Sequence, residues 1–181
     1  MPRVQPLPSS VLPPDLAALY ERFAGGYADF RDQAAILAHV PPALEGLFGM
    51  LLALRERQTL PLRCVELAVV TVSKLNACPY CVAHHEPLLA VEGVPPEAIA
   101  TLPQGDHPAF DAVDRLVIHY ARLVTERAWG IRDQIFEQLR ERFDDSQIVE
   151  LTLRIALAGF FNRFNDALQI DDGRSAAALE P

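Results

Sequence analysis

Between Ala43 and about Arg57 the apolar residues Leu47, Met50, Leu51 and Leu54 fall three and four positions apart, the spacing of one helix face. The same periodicity, interrupted by Pro, Gly and Asp, recurs along most of the chain. Asp15 can cap a first helix that runs through Phe23 and ends at Gly25-Gly26. A second short segment, Asp29 to Val40, stops at Pro41-Pro42, and the Ala43 helix follows it. Pro61 suits the first position of a fourth helix reaching about Leu75. Asn76 can cap a fifth, from about Cys78 to Glu92, closed by Gly93 and kinked or shortened by Pro87. Pro95-Pro96 opens a short helical turn. From Ala109 to Ile170 there is no proline, and three helices fit: about 109–128, 131–143, and 147–170 with Asp145 or Ser146 as its cap. No segment alternates cleanly with period two between hairpin turns. The pattern predicts an all-α bundle of about eight helices. Residues 1–14, with five prolines, read as an extended N-terminal arm laid along a neighbouring subunit, and 15–181 as a single domain.

Composition narrows the function classes. A chain of 181 residues, half of them hydrophobic, can bury a core without disulfide or metal. The net charge of −8 and the absence of a basic block argue against nucleic acid or an anionic membrane as partner. No apolar run approaches the ~18 residues a membrane span requires; the stretch from Phe48 to Leu54 is too short. The first fifteen residues have no hydrophobic core of the secretory type, and three cysteines do not make a secreted disulfide framework. The cytoplasm is the expected compartment, where paired cysteines point to redox chemistry or a metal.

A faint internal echo accompanies the helical pattern. Val65-Glu66-Leu67 recurs as Val149-Glu150-Leu151, and at the same offset of 84 Asn162 and Asn165 stand where Cys78 and Cys81 stand. Only four of the 21 positions from Val65 to His85 are identical, so chance competes with the reading as a diverged duplication whose second copy keeps the scaffold and has lost its thiols.

The candidate chemistry lies between Glu66 and His85. Cys78 and Cys81, three apart at the start of a helix, project on one face with Cα atoms about 5 Å apart, close enough for a disulfide. Helix amides there stabilise a thiolate. At ~100° per residue His85 falls within roughly 40° of Cys81 and 20° of Cys78. A neutral imidazole in that position can take a thiol proton. Glu66 lies in an apolar stretch on the preceding helix, where a lone carboxylate is costly. Pairing with His85 would relieve that cost and orient the ring, and Glu66, His85 and the thiols then follow the logic of orienter, base and nucleophile. Helix electrostatics alone would make Cys78 the nucleophile, because it is nearer the amino terminus.

Glu66, eleven residues, Cys78, two residues, Cys81, three residues and His85 form a pattern that resembles the active site of AhpD-like alkylhydroperoxidases, in the carboxymuconolactone decarboxylase superfamily. The flanking SKLNACPYCVAHH is similar to the small peroxidase-related branch of that family, and the motif core spans 63–90. The resemblance implies an AhpD-like helical fold and a homo-oligomer (dimer, trimer or hexamer) that works without cofactor. It implies that an organic hydroperoxide oxidises Cys81 to a sulfenic acid and that Cys78 resolves it as a disulfide. A dithiol or disulfide-reductase donor would then reduce the pair, with Glu66 and His85 relaying the proton. The chain departs from some members in carrying Tyr80 where they have a second relay histidine, and a phenol is a poor base at neutral pH.

Other readings compete. Zinc needs four ligands, and only Cys64 remains beyond the pair; haem attachment needs histidine directly after the second cysteine, where Val82 stands. A thioredoxin-like disulfide reductase would read AVVTVSKLNACPYC as a strand feeding the helix, and a non-catalytic helical oligomer would use the pair as a redox-sensitive switch. Glu66 could instead pair with Arg63, and Cys64 reads as a small buried hydrophobe. Phe160, Phe161, Phe164 and Trp129 read as core or subunit interface, and Arg154 and Arg163 as partners for acids. A small apolar pocket is expected around Val82, Leu88 and Leu89.

Overall fold

The structure, a computed structural model, describes residues 2–26 and 30–170. The start of the segment expected at Asp29 and residues 171–181 lie outside the described residues. Nine α-helices occupy the described chain: α1 (Pro14–Gly26), α2 (Arg31–Leu37), α3 (Pro41–Arg57), α4 (Leu62–Leu75), α5 (Pro79–Val91), α6 (Pro96–Ile99), α7 (Ala112–Arg127), α8 (Asp133–Arg140) and α9 (Asp145–Leu168). No strand occurs among the described residues, so the all-α expectation holds and the thioredoxin-like alternative falls.

Helix α4 organises the molecule. Every residue from Cys64 to Ser73 is buried, because α5, α7 and α9 all pack on it. A helix buried on all sides over Cys64 to Ser73 has no solvent face to keep, so its four valines and Thr71 bury their branched side chains despite a modest intrinsic preference for the helix. One apolar core lies between α4 and α6 to α9. A second gathers α1, α2 and α3 around Phe23, Phe30 and Phe48, and Cys78, Tyr80 and Cys81 belong to it. The cysteine pair therefore sits where the two cores meet.

Arg63 pins this frame. Its guanidinium donates through Nε (2.9 Å) and Nη2 (2.6 Å) to the carboxylate of Asp114, and through Nη1 (3.0 Å) to the Glu92 carbonyl at the end of α5. Asp114 also closes a capping box with Asp111 at the start of α7, so one arginine ties α4, α5 and α7 together. Arg63 is thus the partner of Asp114, not of Glu66. The long helix α9 begins with a second capping box, Asp144 with Gln147, one residue earlier than the expected cap.

One further boundary differs from expectation. Asn76 ends α4 instead of capping α5, because Ala77 turns the chain through the left-handed region (φ 52°) and Cys78 becomes the residue before the helix. Pro87 lies inside α5 without stopping it. The N-terminal arm contains a short 3-10 turn at Ser9–Val11 and is held by its own chain: the amide of Arg3 donates to the Leu168 carbonyl (2.8 Å) and that of Leu7 to Ala35 (2.9 Å). No described helix is long and apolar enough to cross a membrane.

Candidate active site

The turn at Asn76-Ala77 folds α5 back along α4, and this brings Glu66 and His85 together across 19 residues of chain. Nδ1 of His85 lies 2.7 Å from Oε2 of Glu66, and both side chains are buried. A carboxylate only accepts, so Nδ1 carries the proton and Nε2 is left as the nitrogen that can exchange one. Burial works against the imidazolium, but the charge of Glu66, its hydrogen bond and the nearby Cys81 sulfur outweigh it and raise the His85 pKa.

The two sulfurs are distinct. Cys78 Sγ lies 3.1 Å from Cys81 Sγ and donates its S–H to it. Asn165, on α9, adds a second donor, Nδ2 to Cys81 Sγ at 3.2 Å. Its amide is oriented by Gln33 of α2, whose Nε2 donates to the Asn165 Oδ1 at 3.0 Å. A parallel chain runs beside it: Asn76 Nδ2 donates to Asn162 Oδ1 (2.8 Å), and Asn162 Nδ2 to Ser73 Oγ (3.1 Å).

The thiolate is favoured at Cys81. The hydrogen bond from Cys78 is the largest cause, opposed by burial and reinforced by the charge of His85 and the amides of Asn162 and Asn165, and together they pull the Cys81 pKa down to about 7. Cys78 moves the other way: donating to Cys81 and being buried keep it a thiol. Helix-end electrostatics alone favour Cys78, but that argument omits its position. Cys78 precedes the helix, whereas Cys81 sits inside the first turn with the Cys78 thiol and the Asn165 amide of α9 both donating to it.

A cavity of about 50 Å³ opens beside Cys81 and His85. Its walls are largely apolar, from Phe23, Phe30, Leu51, Leu157 and Phe161, with Arg154 and Asn162 from α9 among the polar lining. The expected pocket around Val82, Leu88 and Leu89 is not this one: those side chains do not line it, and Leu88 borders a separate recess with Glu66 and Arg55. Tyr80 is buried against His84, with ring centroids 4.3 Å apart, and Phe30 lies over both histidines, 4.8 Å from His84 and 5.3 Å from His85. Among the described residues no group of three or more His, Cys, Asp or Glu is arranged to hold a metal. Trp129 is exposed and takes no part in either core, while Phe161 faces the cavity.

Sequence reasoning singled out Glu66, Cys78, Cys81 and His85, and the structure brings all four together. It gave no role to Gln33 or Asn165, and it read Arg154 only as a partner for an acid, without singling out Glu150. One signal pointed to Asn165: it is the residue 84 positions beyond Cys81 in the internal echo, and these two positions meet in space.

In this all-helical frame a buried carboxylate and imidazole face a C-x-x-C pair, and both the motif and the fold are similar to those of the AhpD/carboxymuconolactone decarboxylase superfamily. Residues 41–111, which contain the site motif, match the carboxymuconolactone decarboxylase family. The fold is similar to the alkylhydroperoxidase AhpD core of an uncharacterized peroxidase-related protein from Ralstonia eutropha JMP134 (22% identity, 99% of this chain and 97% of that one, TM-score 0.80). It is also similar to the debrominase Bmp8 in complex with 2,3,4-tribromopyrrole (16%, 97% and 95%, TM-score 0.77). A third likeness is to an uncharacterized peroxidase-related protein from Silicibacter sp. TM1040 (22%, 94% and 88%, TM-score 0.66). No curated protein sequence matches the chain. The presence of a debrominase among these folds means that the reaction must be argued from the site.

Proposed function

We propose that the protein is a thiol-dependent peroxidase that reduces organic hydroperoxides through Cys81 and Cys78. The observation that carries this reading is the convergence on Cys81 of a thiol, an amide and a charged imidazole, at the wall of an apolar cavity. The Cys81 thiolate attacks the terminal peroxide oxygen; the O–O bond breaks, Cys81 becomes a sulfenic acid, and the departing alkoxide takes a proton from the His85 imidazolium and leaves as the alcohol. Cys78 then attacks the sulfenic sulfur, the S–S bond forms and water departs. An external dithiol reduces the disulfide by exchange and is itself oxidised, which suits a reducing compartment such as the cytoplasm. Glu66 keeps the proton on Nδ1 and stabilises the imidazolium between steps. Tyr80, packed away against His84, takes no proton in this scheme. The working form is a homo-oligomer, with exposed Val149 and Phe160 on α9 as apolar side chains available to a contact.

The test is stoichiometric and then catalytic. One equivalent of cumene hydroperoxide should consume both thiols of the pair, and excess dithiothreitol should sustain turnover. Retention of both thiols would overturn the reading. Loss of the thiols without turnover would favour the alternative, a helical oligomer whose cysteine pair is a redox switch.

A further inference from the structure

The second half of the internal echo holds charges that the scheme above does not use. Glu150 and Arg154, on α9, are each only 4% exposed and face one another at 3.2 Å, Nη2 to Oε1. The contact is one-toothed: Arg154 Nε and Glu150 Oε2 are both buried with no hydrogen-bond partner. A buried ion pair kept only for the fold is poorly explained by that geometry, since apolar residues of similar volume commonly do as well and unmet donors destabilise. Arg154 also lines the apolar cavity that Cys81 and His85 line. In the echo, Glu150 occupies the register of Glu66, but Gln169 stands in the register of His85, so this second carboxylate holds a guanidinium in place of an imidazole.

We infer that Arg154 is an anion anchor, and that the cavity takes organic hydroperoxides bearing a carboxylate, with Glu150 holding the guanidinium in place. The substrate's carboxylate accepts from the guanidinium donors left unused by Glu150, its apolar body lies against the Phe and Leu walls, and its peroxide reaches Cys81. This substrate class rests on the peroxidase reading; the anion site itself does not.

Two measurements keep them apart. Stopped-flow oxidation of the thiols compares cumene hydroperoxide bearing a para-carboxylate with its methyl ester. The wild type should prefer the acid by about tenfold or more in second-order rate constant, the value of one charge-assisted contact. The pair-neutral variant Glu150→Gln/Arg154→Met, which leaves no lone buried charge, should bring the ratio to about one. Arg154→Lys, which keeps charge but loses the planar fork, should fall between. The second measurement needs no peroxide: para-isopropylbenzoate, but not the corresponding benzamide, should slow alkylation of Cys81 by iodoacetamide in the wild type and not in the double variant. Equal acid and ester rates in the wild type, or a ratio unchanged in the double variant, overturn the substrate class. If neither hydroperoxide oxidises Cys81, the peroxidase reading and the substrate class fall together, and the benzoate protection decides the anion site by itself; absence of protection removes it.

Discussion

Glu66→Gln isolates the charge of the buried carboxylate from its shape. The amide is isosteric and keeps an oxygen that can accept from Nδ1 of His85, so the 2.7 Å contact can persist while the negative charge disappears. A hydrogen bond to a charged group contributes about 1.5–3 kcal/mol against about 0.5–1.5 for a neutral one. The difference, about 1–1.5 kcal/mol, is about one pKa unit by which His85 should move down. His85 is raised in the wild type because Glu66 outweighs burial, so removing that charge makes the imidazolium less available to Cys81. The Cys81 inflection should then rise from about 7 by up to about one unit. The assay is alkylation by iodoacetamide across pH 5 to about 10, with Cys81 followed by peptide mass spectrometry. At pH 7 the thiolate fraction should drop from about half to about a tenth, while the more basic thiolate gains about two- to threefold in intrinsic reactivity. The inflection is therefore the diagnostic quantity, and the rate at one pH is not. An inflection unchanged from the wild type would refute the proposed coupling from Glu66 through His85 to Cys81.

Three other outcomes follow from the geometry. Asn165→Ala removes the amide donor on Cys81 Sγ and should raise the same inflection by up to about one unit; alkylation indistinguishable from wild type would mean that the 3.2 Å contact does not stabilise the thiolate. Burial pushes the Cys64 thiol up to about 11, so at pH 8 it should stay unlabelled in the native protein and label at once in urea. Arg63→Met leaves buried Asp114 without its counterion and frees the end of α5, and the folded state should lose about 2–3 kcal/mol in urea titration. A loss under about 0.5 kcal/mol would place Arg63 among ordinary surface charges.

The helical class was legible from periodicity, and the four thiol-site residues from their spacing, because a helix turns fixed intervals into a shared face. Helix α4 was harder: AVVTV favours a strand locally, and packing by α5, α7 and α9 is what makes it a helix. The cap of α9 was off by one because Asp144, Asp145 and Ser146 are all suitable caps; Gln147, reaching back to the Asp144 amide, decides among them. Asn165 was invisible to local pattern, since its partners Cys81 and Gln33 lie 84 and 132 residues away. Arg154 read only as a partner for some acid; its pairing with Glu150 one turn away and the burial of both come from the packing around α9.

The central claim is that Cys81 is the sulfur that meets the peroxide and Cys78 the one that resolves it. It is tested most directly by treating Cys78→Ser and Cys81→Ser with one equivalent of cumene hydroperoxide in the presence of dimedone and mapping the adduct by mass spectrometry. The serine at 78 keeps a hydroxyl donor toward Cys81, so that variant should carry the sulfenic-acid adduct on Cys81, while Cys81→Ser should carry none. An adduct on Cys78 in Cys81→Ser, with Cys81 unmodified in its counterpart, would exchange the two roles and contradict the electrostatic argument built on Cys81.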